Sequence, residues 1–250
     1  MQTRIHWNRM IGTIASAVGA AACAGAGVWS YASLAPESQV FGRTIVAGRD
    51  AAEFALTFDD GPNDPWTGRL LDVLARHQAR ATFFLIGKHV RERPDLLREI
   101  RGAGHLIGNH TMTHPWLAVQ SAARVREELA GCNALLEDVL GEKVRFFRPP
   151  HGSRRPAVLG AARELGLAAV MWNAMGFDWR ANITADRIAA HLERGIARNW
   201  RRGRGSNLLL HDGGHLAMGA DRSQSVEATR WILERHEVGK VRYVTVDAWA

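Results

Sequence analysis

Two acids stand side by side in Thr57-Phe58-Asp59-Asp60-Gly61-Pro62. Adjacent carboxylates raise each other's pKa, so holding both ionised is costly. A divalent cation resolves the repulsion by neutralising one and leaving the other as a base. Gly61-Pro62 then turns the chain away. On the dipeptide alone, a turn whose acids cap the next helix is the preferred reading. A second pair, His110 and His114, has the four-residue spacing that lets two imidazoles face one metal on a helical turn or a tight loop. The chain holds 11 His, so that pair alone is weak evidence against two solvated or core histidines. With the preceding Asp60 it makes a His/His/Asp set with coordination positions left open for water and substrate. Zn2+ suits such a set, and Co2+, Ni2+ or Fe2+ could also occupy it.

Three further segments carry weaker signals. Arg148-Pro149-Pro150-His151-Gly152 places an Arg before a Pro-stiffened loop. A guanidinium there could hold a catalytic carboxylate ionised, or simply face solvent. Asp178-Trp179, preceded by Trp172, fits core packing of the indoles. Leu208-Leu209-Leu210-His211-Asp212-Gly213 ends an apolar run on a titratable imidazole, which in isolation is more often structural.

The elements that must position these residues alternate along the chain. Apolar runs predict strands at residues 54–58, 81–86, 105–108, 145–147, 168–172, 207–210 and 241–246. Helical patterns lie between them at 66–77, 94–102, 122–140, 156–165, 185–197 and 221–235. Pro94 and Pro156 suit first turns, and Gly102, Gly141 and Gly166 suit helix stops. Strand–helix alternation argues for a parallel sheet and the number of units for a barrel, with an open doubly wound sheet as the alternative. In a barrel, Asp59-Asp60, Asn109-His110, Arg148, Asp178 and His211 would converge on the C-terminal rim. The expected organisation is a signal or membrane segment over 1–36, a linker over 37–52 and a single catalytic domain over 53–250.

Composition narrows the setting. The 250 residues are 46% hydrophobic and 23% charged, ordinary for a globular chain. The formal charge of +7 favours anionic partners. Its densest stretch, Arg198, Arg201, Arg202 and Arg204, reads as a solvated loop, and without a nucleic-acid-binding fingerprint no nucleic-acid partner is expected. Cys23 and Cys132 stand outside any CxxC pair, which argues against a disulfide framework or a Cys-based metal site. Arg4 and Arg9 precede an uncharged, Ala/Gly-rich run over residues 10–36. A cleavable signal ending near Ala24-Gly25-Ala26 and an uncleaved anchor fit it equally, and a lipoprotein signal at Cys23 fits less well because Ala20 replaces a larger apolar residue. Each version places the domain outside the cytoplasm, membrane-anchored or secreted, with residues 10–36 as the membrane contact.

Taken in order, TFDDGP, HTMTH, RPPHG, Asp178-Trp179 and LLLHDG resemble the five motifs of the polysaccharide deacetylase family, carbohydrate esterase family 4, or NodB homology domain, over residues 54–246. The resemblance implies an α/β fold, a distorted (β/α) barrel of about seven parallel strands. It implies a metal-dependent hydrolase removing N-acetyl groups from a cell-envelope or extracellular glycan. Asp59 would be the general base, oriented by Arg148, and His211 the general acid. Asp60, His110 and His114 would hold the metal. Pro150 and His151 would border the substrate, with the His151 backbone N–H at the oxyanion, and Trp179 and Leu209 would line the acetyl pocket. Two departures stand out: His151 replaces a frequent Tyr, and Met175 occupies the place of an acid that pairs with the catalytic His. Either His211 lacks that partner or another group, such as Asp178, replaces it. Alternatives are a deformylase or deacetylase of a lipid-linked sugar, or a hydrolase of a non-sugar amide. A catalytically inactive glycan-binding module is disfavoured because all three metal-ligand positions are filled.

Overall fold

The computed structural model describes residues 25, 27–237 and 239–250. Its centre is β1 (Glu53–Gly61), buried at every position after Glu53. A strand covered on both faces needs apolar residues on both, which is why 54–58 shows no alternation. Along the chain follow α1 (Trp66–Arg76), β2 (Ala81–Leu85), α2 (Gly87–Glu92), α3 (Pro94–Gly102), β3 (Leu106–Asn109) and α4 (Ala122–Leu140). Then come β4 (Phe146–Phe147), α5 (Pro156–Glu164), β5 (Ala168–Ala169), β6 (Ala174–Met175), α6 (Ala185–Arg201), β7 (Ser206–His211), α7 (Ser223–Arg235) and β8 (Arg242–Tyr243). Local chemistry sets several boundaries. Pro94 and Pro156 open α3 and α5. Ser121 Oγ caps α4 by accepting from the Arg124 N–H at 3.1 Å, and Gly141 ends it with φ 69°.

The sheet order is β5-β4-β3-β2-β1-β7-β6, with β8 on the start of β1 and every pair parallel. Parallel register brings the C-terminal ends to one rim: Asp59 stands opposite Phe84 on one side and His211 on the other. The architecture is the distorted barrel, curled rather than closed. The edge strands β5 and β6 do not pair, and residues 170–173 span the gap between them.

Several expectations change. The expected strand at 168–172 stops at Ala169, because Met171 donates instead to Ile45 O at 2.7 Å and Asn173 to Asn207 O at 3.3 Å. The unforeseen β6 follows. Helix α2 has only six residues, too short for a periodic signal. The stretch 37–52 is not a free linker. Ile45 donates to Ala169 O at 2.8 Å and bridges Val170, while Ser38, Thr44 and Val46 are buried. It is a strap that finishes the β5 edge. Most of the expected signal or anchor segment, with Cys23, lies outside the described residues. Among the described residues no helix is long and apolar enough to cross a membrane.

Candidate active site

Asp59 lies near the buried end of β1, and Arg148 directly follows β4. The guanidinium is fully buried. Its Nη1 donates to Asp59 Oδ1 and to Thr57 Oγ1, each at 2.8 Å, and its Nη2 donates to Met171 O at 3.2 Å. The Phe84 ring lies 4.2 Å from its centre. Burial pushes the guanidinium pKa down and Asp59 opposes that shift. Losing either partner would strand a buried charge, at about 3–5 kcal/mol. The free oxygen of Asp59, Oδ2, points toward His110 Nε2 at 3.8 Å.

His211 ends β7 in register with Asp59. Its Nδ1–H donates to Asp178 Oδ1 at 2.8 Å and its backbone N–H to Asp178 Oδ2 at 2.7 Å. Ser225 Oγ also donates to Asp178 Oδ2, at 2.6 Å. Burial works against the imidazolium, but the Asp178 carboxylate overrides it and raises His211 to about 9. Asp178 is held below the carboxylate range by His211 in spite of its own burial. Asp178 is thus the acid paired with His211, while Met175 lines the cavity on β6.

Asp60, His110 and His114 gather beside this pair. Their donor atoms all lie within 4.8 Å of one another. Asp60 Oδ1 is 3.5 Å from His110 Nε2 and 3.2 Å from His114 Nε2. Donors bound to zinc at about 2.0–2.2 Å in a tetrahedron stand roughly 3.3–3.6 Å apart, so the set matches such an ion. His110 Nδ1–H donates to Arg148 O at 2.8 Å, which turns the Nε2 lone pair toward Asp60. Burial, then His110, drive His114 down to about 2, leaving it neutral as a ligand must be. Burial opposes ionisation of Asp60, yet its contact with His110 and the charge of His211 hold its carboxyl far below the usual range. Asp60 Oδ1 is buried without a hydrogen-bond partner, a position that a cation would satisfy.

The backbone is shaped for this gathering. Asp60, Thr111, His114 and His151 have positive φ of 72°, 68°, 62° and 57°. Non-glycine residues in that region are strained and cluster at functional sites. The His pair lies on a tight loop rather than a helical turn. Asn109 Oδ1 accepts from Thr111 N–H, Thr111 Oγ1 accepts from His114 N–H, and Glu128 on α4 accepts from both Thr113 N–H and Oγ1–H. His89 on α2 reaches the Asp60 carbonyl at 3.1 Å. A Cβ on Gly213 would meet Asp60 O at 2.1 Å, so only glycine lets the loop after β7 pass.

Around these groups lies a cavity of about 900 Å³. Leu209, Trp172 and Met175 line it together with Trp179 and His151. Trp116 stacks on His151 at 4.0 Å and 12°. Pro150 does not reach the lining. It is buried, its carbonyl accepts from Ser153 N–H, and Pro149 lines the cavity beside His151. Trp116 and His215 are among the lining residues that escaped the sequence reading. His215 stacks on His114 at 4.7 Å, with Nδ1 3.9 Å from Asp60 Oδ2. Its only sequence signal was a histidine in the glycine-rich stretch after His211. Lys88 holds that loop, donating to His215 O at 2.6 Å.

Residues 48–170 match the family model described as polysaccharide deacetylase. A peptidoglycan-N-acetylglucosamine deacetylase of Bacillus cereus is 37% identical over 194 residues, covering 77% of this chain and 85% of the relative. The chain belongs to the polysaccharide deacetylase family. A chitooligosaccharide deacetylase of Sinorhizobium fredii is 39% identical over 171 residues, 67% of this chain and 75% of that one. Among polysaccharide deacetylases of known structure, the Bc1960 peptidoglycan N-acetylglucosamine deacetylase, in complex with 4-naphthalen-1-yl-N-oxidanyl-benzamide, is similar with a TM-score of 0.72 and 31% identity. That likeness covers 82% of this chain and 91% of the other.

Proposed function

We propose that this protein is a metal-dependent hydrolase that removes N-acetyl groups from a glycan of the cell envelope. One observation carries the reading. The unpartnered Asp60 Oδ1 faces two imidazoles, and a buried Asp59–Arg148 pair and a His211–Asp178 pair border the same cavity. The relatives act on N-acetylated glycans by their names, which supports that substrate class. The uncharged run over 10–36 supports an extracytoplasmic site.

Asp60, His110 and His114 would hold the ion, with Zn2+ the best match to one carboxylate and two imidazoles and Co2+, Ni2+ or Fe2+ also compatible. Such an ion, when bound, supplies Lewis acidity toward water and the acetyl carbonyl. Asp59 keeps one oxygen on Arg148 and offers the other to a proton from the attacking water. His211, protonated through Asp178 and set edge-to-face with Trp179 at 5.3 Å, gives its proton to the leaving amine, which would otherwise be a very poor leaving group. The His151 backbone N–H serves the oxyanion, and Leu209 and Trp179 take the acetyl methyl.

Acetate release from N-acetylglucosamine oligomers and from peptidoglycan tests the reading, with zinc-loaded protein and Asp59→Asn as control. Release that disappears in the control is expected. Silence on both glycans, with one ion bound per chain, would overturn it.

A further inference from the structure

The rim of the cavity carries exposed apolar side chains beyond those that sugar recognition uses. Leu34, Trp116, Trp179 and Leu216 all line it, and they are 43%, 50%, 47% and 85% exposed. Val119, 80% exposed, follows Trp116 on the turn Leu117–Val119. Indoles stack on sugars, but Leu216, Val119 and Leu34 offer only aliphatic surface. Exposed apolar side chains gathered at one mouth mark a docking surface.

One wall of that mouth comes from the segment that follows the uncharged run. Leu34 and Pro36 line the cavity. They are fixed there by Arg154, which is 1% exposed and donates to Ser33 O, Ala35 O, Ser38 O and Gly152 O at 3.3, 2.6, 2.9 and 3.0 Å. Glu37 pairs with Arg204 at 2.8 Å. No slack therefore separates residue 36 from the loop that carries His151. Just upstream, Val28, Trp29 and Tyr31 are 63%, 52% and 57% exposed, and the sequence stays uncharged back to residue 10. Trp and Tyr favour the interfacial layer of a bilayer. The charge of +7 favours anionic headgroups.

We propose that the cavity mouth docks on a lipid bilayer and that the glycan it deacetylates is held at that surface, as an N-acetylated sugar on a lipid carrier. The substrate half rests on the hydrolase reading above. The docking half rests on the rim and on the exposed Val28, Trp29 and Tyr31 beside it, and does not need that reading. An apolar N-terminal run would bring the chain to vesicles in any orientation, so the test must read the mouth itself.

The full chain with Cys23→Ser receives one labelling site, Leu216→Cys at the mouth or Glu142→Cys just after α4, at the opposite end of the barrel. Each carries a nitrobenzoxadiazole probe, and Cys132 is buried. On vesicles of phosphatidylcholine and phosphatidylglycerol, the Leu216 probe should shift to the blue and be quenched by brominated acyl chains. The Glu142 probe should do neither. A water-like Leu216 probe on vesicle-bound protein overturns docking. So does a blue shift that follows protein concentration without vesicles, because a second copy then covers the rim.

In the second arm, Tyr31→Ser with Val119→Ser should lower kcat/KM about tenfold for an alkyl N-acetylglucosaminide embedded in vesicles, the equivalent of about 1.4 kcal/mol. Activity on free N-acetylglucosamine tetramer should be unchanged. An equal loss on both substrates overturns the lipid-held substrate. If the unsubstituted chain releases acetate from neither, the hydrolase reading fails, and the probe still decides docking.

Discussion

On one side of the cleft, Asp59, Arg148, Asp178 and His211 satisfy one another in two ion pairs. On the other, Asp60 meets His110 and His114 at 3.5 and 3.2 Å, and its inner oxygen finds no donor. The first side is complete once the chain folds. The second has a carboxylate and an imidazole, His114, that burial keeps neutral, and it balances only when a cation arrives. Folding and loading are thus separable events in one site, and each can be broken alone.

The largest effect is expected from His110→Ala, which removes a ligand from the unbalanced side. Activity should fall about 10⁴-fold or more, since the ion contributes several kcal/mol to the transition state. The bound ion should vanish from metal analysis. The thermal stabilisation that zinc gives the parent, about 2.7 kcal/mol at a hundredfold excess over Kd, should vanish with it. A fully loaded, inactive His110→Ala protein would break the comparison.

Asp59→Asn acts on the completed side. Its amide oxygen can still accept from Arg148, so the variant should fold and keep its metal, with a lower melting temperature from the uncompensated Arg148 charge, while turnover drops about 10³-fold. Loss of the ion in this variant would mean that Asp59 belongs to the other side.

Asp178→Asn should cost about 10²-fold in kcat and sharpen the division further. His211 can donate its proton only below its pKa, near 9, so the parent should lose activity as pH rises through that region. A bound cation offsets part of the field of Asp60 and moves the limb somewhat lower. Removing the Asp178 charge should bring the alkaline limb down toward the ordinary histidine value of about 6.5. Stability follows the same sign. The gain from raising His211 is fully present below about 6.5 and is lost as pH rises through about 9. An unmoved alkaline limb in Asp178→Asn would remove His211 as the acid.

The smallest effect is expected from Trp116→Ala. Loss of the stacked Trp116–His151 pair, worth about 1 kcal/mol, should raise KM about fivefold and leave kcat nearly unchanged. A drop in kcat alone would place Trp116 nearer the reacting atoms.

Asp59, Asp60 and His110 were legible in the sequence because each ends or directly follows a buried run, and parallel register carries strand ends to one rim; His114 was legible only by its spacing from His110. The strand–helix rhythm was legible for the same reason. Long-range complementarity was not. Nothing in the spacing decides whether His211 lacks an acidic partner or takes Asp178 in place of one at position 175; a backbone N–H on β7 and Ser225 on α7 decide it. Trp116 and His215 lie on irregular turns, where no period exists to read. The strap over 37–52 looked like a linker because its hydrogen bonds go to Ala169 and Met171, far along the chain.

The strap also has a place in time. A chain made or exported N-terminus first presents Ser33 and Ile45 long before Arg154 and Ala169 emerge to receive them. The earliest part of the cavity wall to appear is therefore among the last to settle. Until translation passes Arg154, the guanidinium that will anchor Leu34 and Pro36 does not exist, and that wall of the cleft stays unformed.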